Sequence, residues 1–219
     1  MVRDSQGGVR VSEEDLEQER RRVARAAMAL MERRAEEVTK PVLVAELRMT
    51  RARVDQLFPE DEALHEAVTA EWFAPKLALM DEVMASELPP RRKMYEFFAR
   101  RFILMRDQFN DDPATFQLYV EMGERYFRYA EPYIDLADHY LCELIAEAQA
   151  EGHFEGLTLN DALSLINQAV ICYIQPYLIA MLGKRQSEEK LARLIDALFD
   201  GLSARERGAR SIAGLRAAS

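Results

Sequence analysis

Residues 39–64 read TKPVLVAELRMTRARVDQLFPEDEAL, and the rest of the chain is organised around this stretch. Thr39 suits the N-cap of a first short helix, and Pro41 fits its opening turn, where the missing amide costs no hydrogen bond. Thr50 offers the same capping chemistry to a second helix, which Pro59 ends. The stretch therefore predicts two short helices joined by a tight turn.

Two such helices are typical of a helix-turn-helix motif, in which the second helix lies in the major groove of DNA. Val54, Leu57 and Phe58 recur at helical spacing and form the apolar side of that helix. The other side carries Arg51, Ala52, Arg53, Asp55 and Gln56. Arginine and glutamine suit phosphates and base edges, so this side is the predicted DNA-reading surface. Many helical proteins that never bind DNA contain similar pairs, and the motif alone leaves both interpretations open.

The charge distribution favours contact with phosphate. The formal net charge of the chain is -9, yet residues 20–58 contain ten Lys or Arg against five Asp or Glu. That window is therefore +5, and the remaining residues sum to -14. The helix preceding the motif carries four arginines on its polar side: Arg20, Arg21, Arg22 and Arg25. A basic head on an acidic body suits local phosphate contact and excludes indiscriminate coating of nucleic acid.

Helical periodicity continues to the end of the apolar pattern, and no β-type alternation of any length appears. The predicted fold class is all-α with about nine helices, a three-helix head preceding a larger helical body. The predicted divisions are a flexible arm at 1–11, a helix-turn-helix domain at 12–60, a ligand-binding and dimerisation body at 61–202, and a flexible tail at 203–219.

Capping residues, proline and glycine set the predicted helix boundaries. Ser12 is expected to open the first helix with a capping box, and Ser187 to cap the last. Pro75 and Pro176 are expected to bend long helices, because proline supplies no amide and crowds the preceding turn. Another helix is expected to begin with Pro132 in its first turn, after a break near Gly123.

Targeting and redox signals indicate a cytoplasmic protein. The N-terminus lacks the apolar segment of a secretory signal. Residues 162–182 carry no charge and are long enough to cross a bilayer, but they include four polar side chains and a proline, which fits a helix buried in protein better than one facing lipid. Cys142 and Cys172 lie in apolar helical patterns and are interpreted as small buried hydrophobes in a reducing compartment.

The order of these features resembles the TetR family of bacterial one-component transcription regulators over essentially the whole chain. That family has a valine-serine pair, a leucine-tyrosine pair, a phenylalanine, a turn and then glutamate-alanine-leucine. The corresponding residues here are Met49 and Thr50, Val54, Phe58, and Glu62, Ala63 and Leu64. Four positions depart from the pattern: Arg48 replaces the turn glycine, Asp55 a tyrosine, Leu57 a histidine, and Asp61 a phosphate-contacting lysine.

The resemblance implies a dimeric regulator, most simply a repressor, that dissociates from its operator when a small molecule binds the helical body. Its predicted contacts with double-stranded operator DNA are Thr39, Lys40, Thr50, Arg51, Arg53, Asp55 and Gln56. Its predicted ligand pocket consists of Trp72, Phe98, Phe102, Met105, Phe109, Tyr119, Tyr126, Tyr140, Tyr173 and Tyr177. These side chains suit an apolar or weakly cationic effector, and plain core packing is the alternative for each.

The predicted homodimer is joined through the last two long helices, because a single body cannot easily cover both of their apolar faces. The residues expected in that interface are Leu165, Ile166, Leu191, Leu194, Ile195, Leu198 and Phe199.

Two rival functions remain open. Because Asp55 and Asp61 oppose phosphate, the chain could be an interaction protein that kept the fold and lost operator binding. A ferritin-like metal enzyme needs two Glu-x-x-His pairs, and only Glu62 with His65 supplies one. Asp135 with His139 makes a weak single-metal pair. No phosphate-binding glycine loop or nucleophile elbow is present, so neither an enzyme nor a cofactor is expected.

Overall fold

The computed structural model describes residues 12–203. The expected arm at 1–11 and, beyond Ser203, the expected tail lie outside the described residues. Within the described range the chain forms ten α-helices, a 3-10 turn at Gly183–Arg185 and no strand, which confirms the all-α prediction. The helices are α1 Glu13–Arg34, α2 Lys40–Glu46, α3 Arg51–Leu57, α4 Asp61–Met84, α5 Pro90–Asp111, α6 Pro113–Arg125, α7 Phe127–Ala150, α8 Leu159–Ile174, α9 Pro176–Leu182 and α10 Glu188–Leu202.

Most helix starts follow the predicted capping residues, although Thr39 precedes α2 without forming a side-chain capping bond. Ser12 accepts a hydrogen bond from the Asp15 amide while the Asp15 carboxylate bonds back to Ser12, which is the predicted capping box. Thr158 and Ser187 accept the equivalent bonds at the starts of α8 and α10. Each cap satisfies an amide that the first helical turn leaves without a partner.

Three helix boundaries differ from the predictions. Gln175 is extended, so the expected single helix over 162–182 is divided into α8 and α9, with a 54° bend before Pro176. Gly123 lies inside α6, and the break falls at Tyr126. Pro132 therefore lies inside α7, five residues after its start, and not in its first turn. The break at Gln175 follows the preference of a residue before proline for extended backbone, whereas Gly123 and Pro132 lie inside helices against their local preferences.

The chain packs into two compact units, and each unit combines helices that are separated along the sequence. The first combines the described part of Met1–Ala78 with Arg106–Asp135, and the second combines Leu79–Met105 with the described part of Leu136–Ser219. The first unit includes the start of α4 and all of α6, so it extends beyond the domain boundary expected at residue 60. That boundary remains a prediction about which residues form the functional head.

Each unit has its own apolar core. In the first unit, α1, α2 and α3 pack with the start of α4 and with α6 around Ala27, Leu43, Val54, Phe58 and Trp72. The core of the second unit is built from α5, α7, α8 and α10, with Phe98, Phe102, Leu144, Ile166 and Phe199 buried. Cys142 and Cys172 are free and half-buried, so they are less enclosed than predicted.

Across residues 12–203 no single helix has both the length and the apolar character needed to span a membrane. The bent pair Leu159–Ile174 and Pro176–Arg185 meets that requirement by length and composition only.

Candidate nucleic-acid interface and effector-binding residues

Helices α2 and α3 form the expected helix-turn-helix. The Thr50 hydroxyl accepts a hydrogen bond from the Arg53 amide at 3.2 Å and so caps α3. Val54, Leu57 and Phe58 are buried against the core, which turns the opposite side of α3 outward. Arg48 adopts a φ of 52° in the turn, so it takes the left-handed conformation that glycine adopts freely. The turn geometry is therefore kept at a cost in strain of about 1–2 kcal/mol.

The seven predicted DNA contacts fall into two groups. Thr39, Thr50, Arg51 and Gln56 are exposed, and the Arg51 side chain retains 86% of its accessible surface. The other three, Lys40, Arg53 and Asp55, are held in ion pairs within the chain. Two members of the exposed group also have internal contacts: Arg51 Nε is 3.7 Å from Asp55 Oδ2, and Gln56 Oε1 accepts a hydrogen bond from Arg53.

Lys40 lies among four oxygen atoms. Its Nζ donates to the carbonyl oxygens of Phe58 and Pro59, each at 3.1 Å. The same Nζ is 3.2 Å from Asp55 Oδ1 and 3.7 Å from Asp61 Oδ1. Lys40 thus ties the start of α2 to the end of α3 and the start of α4, and its charge is neutralised before any phosphate approaches.

Arg53 is bound to α1 and so departs from its predicted role. Its guanidinium forms a two-pronged pair with Glu19, and its Nη1 donates to Gln56 Oε1 at 2.6 Å. The Arg53 guanidinium lowers the pKa of Glu19, and the Glu19 carboxylate raises the pKa of Arg53. Arg53 therefore fixes the orientation of α3 on α1, whereas Arg51 is exposed and has an ion pair of 3.7 Å with Asp55 on its own helix.

The arginines of α1 also form ion pairs within the chain. The sequence predicted that the polar side of this helix would be free to contact phosphate. Arg21 and Arg25 each donate to one oxygen of the buried Glu71 carboxylate, at 2.7 Å. Burial raises the pKa of Glu71, but the two guanidinium groups outweigh it and hold that pKa below its ordinary value. Arg20 pairs with Glu66 at 3.2 Å. These contacts attach α1 to α4.

The predicted pocket residues are divided between the two units. In the first unit Trp72 stacks on Tyr119 with ring centroids 5.7 Å apart, and Tyr126 stacks on His65 at 4.4 Å. Phe109 makes an edge contact with Phe116. Trp72 and Tyr119 are therefore the predicted pocket residues that the first unit brings together.

In the second unit Phe102 contacts Tyr173 edge to face at 5.1 Å, and Phe98 and Met105 are buried in the same core. Two predicted residues are not enclosed there: Tyr140 donates its hydroxyl to Asp81 at an exposed position, and Tyr177 is itself exposed. These two are therefore surface residues and do not line a closed cavity in this unit.

Sequence reasoning missed Lys76, which is fully buried on α4. It lies one turn after Trp72 and Phe73, within the run EWFAPKLALM. A lysine bracketed by apolar residues on both sides was the available signal, since lysine is almost never fully buried without a partner.

The predicted interface residues need a correction. Ile166, Leu191, Ile195 and Phe199 are buried inside the protomer, in the core that α8 and α10 share. Leu165 is exposed, and Leu194 and Leu198 are partly exposed. The exposed large apolar side chains of α8 and α9 are Leu159, Leu165, Ile171, Tyr177 and Met181.

The described residues contain no cluster of three or more His, Cys, Asp or Glu side chains that could hold a metal ion. His65 Nδ1 is 3.1 Å from Glu37, and His139 Nε2 is 3.3 Å from Glu143. His139 thus pairs along α7 with Glu143, whereas the sequence suggested a pairing with Asp135.

Residues 90–195 match a protein-family profile described as "Tetracyclin repressor-like, C-terminal domain". The matched range runs from the start of α5 into α10. This range of the chain is therefore similar to the C-terminal domain of tetracycline-repressor-like proteins. The helix-turn-helix lies N-terminal to the matched range, so its assignment depends on the geometry of α2 and α3.

No curated protein matches this chain. Among solved structures it is similar to a crystal structure of an HlyIIR mutant protein in which a segment is substituted by alanine. The two share 18% identity, the match covers 88% of this chain and 100% of the other, and the TM-score is 0.36. At that TM-score the two chains do not superpose closely.

Proposed function

We propose that this protein is a TetR-family one-component transcription regulator, most simply a repressor, that binds operator DNA as a homodimer and is released by a small, mostly apolar ligand. The observation that carries the proposal is the presentation of α3. Its apolar side is buried, its start is capped by Thr50, and its outward side offers Arg51 and Gln56. This is the arrangement by which a recognition helix enters the major groove.

A second copy of the chain is the proposed partner of the α8–α9 surface. Leu165, Ile171, Tyr177 and Met181 are each between 41% and 57% exposed, and they lie on the consecutive helices α8 and α9 of one unit. Exposed large apolar side chains of this kind are typical of homodimer interfaces. A two-fold dimer also presents two recognition helices, as a palindromic operator requires.

The attachment of α1 to α4 supports a route for release. Glu71 on α4 holds Arg21 and Arg25 of α1, so a displacement of α4 at this point moves the helix against which α3 is oriented. Pro75 follows one turn later and gives no amide to the Glu71 carbonyl, which weakens the helix there. A ligand that binds one position of α4 more tightly than the other shifts the population toward the released state.

The test is selection of binding sites from random duplex DNA with the full chain, followed by fluorescence anisotropy on the enriched sequence at two salt concentrations. A regulator enriches a two-fold-related sequence and loses affinity steeply as salt rises. Failure to enrich any sequence, at low salt and with a properly folded chain, would contradict the proposal.

The paired state of Lys40 and Arg53 favours one alternative, a TetR-fold interaction protein that has lost operator binding. Asp55, Asp61 and Glu19 occupy the cations that would otherwise meet phosphate. The same selection distinguishes the two functions, because an interaction protein enriches no DNA even when Asp55 and Asp61 are both changed to Asn.

A further inference from the structure

Lys76 is a buried cation without a counter-ion. None of its side-chain surface is exposed, and within residues 12–203 no carboxylate pairs with it. Its Nζ donates to the Trp72 carbonyl at 2.9 Å, lies 3.6 Å from the centroid of the Trp72 ring, and lies 5.5 Å from that of Phe73. An ammonium group has three N–H donors, of which one binds the Trp72 carbonyl; the two ring faces are weak partners and supply no neutralising anion.

Folding alone does not account for this lysine. Burial lowers the pKa of Lys76 to about 7, because the charged form has lost its water and gained no anion. The second buried lysine, Lys93, has a partner: its Nζ is 3.0 Å from Glu147. An apolar residue of similar length at position 76 would fill the space without the desolvation cost. A residue that destabilises its own fold in this way is a candidate for function.

A second polar group without a partner lies beside the same tryptophan. Tyr119 is 6% exposed, its ring stacks on Trp72, and within the described residues its hydroxyl has no hydrogen-bond partner. The Tyr119 hydroxyl is thus an unsatisfied polar group in the interior of the first unit.

We propose that Lys76 and Tyr119 form the polar end of an effector site for a flat, apolar monocarboxylate, with Trp72 and Phe73 as its aromatic wall. The inference deepens the proposed function and rests on it. A carboxylate accepts hydrogen bonds from an ammonium and a phenol at once and supplies the missing negative charge. A cationic ligand would be repelled by Lys76, and a multiply charged anion would find only one cation. This chemistry replaces the weakly cationic effector expected from the sequence.

The position of Lys76 also connects the site to the DNA-binding head. Lys76 follows Pro75 directly and lies five residues after Glu71, the anchor of α1. Nζ is closed off in this structure, so entry of a ligand requires the aromatic side chains around it to separate. Such a displacement occurs at the point where Pro75 leaves α4 without a backbone hydrogen bond.

The experiment titrates the full chain, without DNA, with naphthoate, the neutral naphthamide and the cationic naphthylmethylamine. Trp72 is the single tryptophan of the chain, so its fluorescence reports directly on the proposed site. We expect naphthoate to change the Trp72 emission and to bind at least about tenfold more tightly than either analogue, because it alone forms charge-assisted bonds to Lys76. Naphthoate should also raise the melting temperature.

Two variants assign the effect. Lys76→Met should abolish the preference for naphthoate over naphthamide, and Tyr119→Phe should reduce it. Lys93→Met is the matched control, because it removes another buried lysine and should leave the preference unchanged. Equal affinities for the three probes, or unchanged naphthoate affinity in Lys76→Met, would overturn the inference. Operator binding measured separately on ligand-free protein tests the regulator proposal, so either can fail while the other stands.

Discussion

Replacing Lys76 by Met should make the protein more stable, and the gain should depend on pH. In the unfolded chain this lysine titrates near 10.5, whereas burial lowers its pKa to about 7 in the folded chain. Below pH 7 both states hold the proton, so the full cost of burying the charge applies. Between pH 7 and 10.5 the folded chain has released a proton that the unfolded chain keeps, so the cost declines, and above 10.5 it is absent.

The magnitude follows from the free energy of protonation. At 1.36 kcal/mol for each pKa unit, the difference between the two states corresponds to about 5 kcal/mol at pH 6 and about 2 kcal/mol at pH 9. Met occupies a similar volume without a charge, so Lys76→Met should raise the free energy of unfolding by amounts of that order. The difference in the free energy of unfolding between the variant and the wild type should therefore become smaller as the pH rises.

The assay is urea-induced unfolding followed by circular dichroism at both pH values, with protein concentration held constant because a dimer unfolds with concentration dependence. Lys93→Met is the control: it breaks the pair with Glu147 and should give no comparable gain at pH 6. The reasoning is refuted if Lys76→Met is no more stable than wild type at pH 6, or if its gain is the same at both pH values.

Three further outcomes are expected. Asp61→Lys should strengthen binding to all duplexes and steepen the salt dependence of that binding, whereas Arg51→Ala should lose about 1–3 kcal/mol of binding free energy on the selected site only. Fluorescence anisotropy at fixed salt distinguishes the two effects. An equal loss on all duplexes for Arg51→Ala would show that Arg51 does not contact a base. Leu165→Asp should convert the dimer to monomer by burying an unpaired charge, and light scattering that still reports a dimer would exclude the α8–α9 surface as the interface. Arg48→Gly should raise stability by about 1 kcal/mol through relief of the left-handed turn, with an unchanged or lowered melting temperature as the contrary result.

Much of the fold was predictable because it depends on neighbours in sequence. Ser12, Thr50, Thr158 and Ser187 each begin a helix where their side chains reach an amide three residues ahead, which is local geometry. The separation into apolar and polar helix sides likewise identified the buried face of α3. The position of a proline within a helix was less predictable: Pro132 was expected in a first turn, but it lies inside α7.

The candidate site was predicted only in part. The aromatic character of Trp72 and Tyr119 was enough to predict them as pocket residues, and the structure shows that their rings stack. Lys76 looked from the sequence like any charged residue of a long helix, because burial depends on which elements pack around it. Its missing counter-ion is a property of that packing and not of adjacent residues.

The sequence by itself determined the all-α class, the positions of most helix starts, and a basic head preceding an acidic body. Only the tertiary structure decided which charges remain available to a partner. Arg51 and Arg53 are the same residue type and two positions apart, yet Arg53 is bound to Glu19, 34 positions earlier, whereas Arg51 is exposed and pairs with Asp55 on its own helix. Ion pairs of this kind join residues that are distant along the chain, and only folding brings them within hydrogen-bond reach.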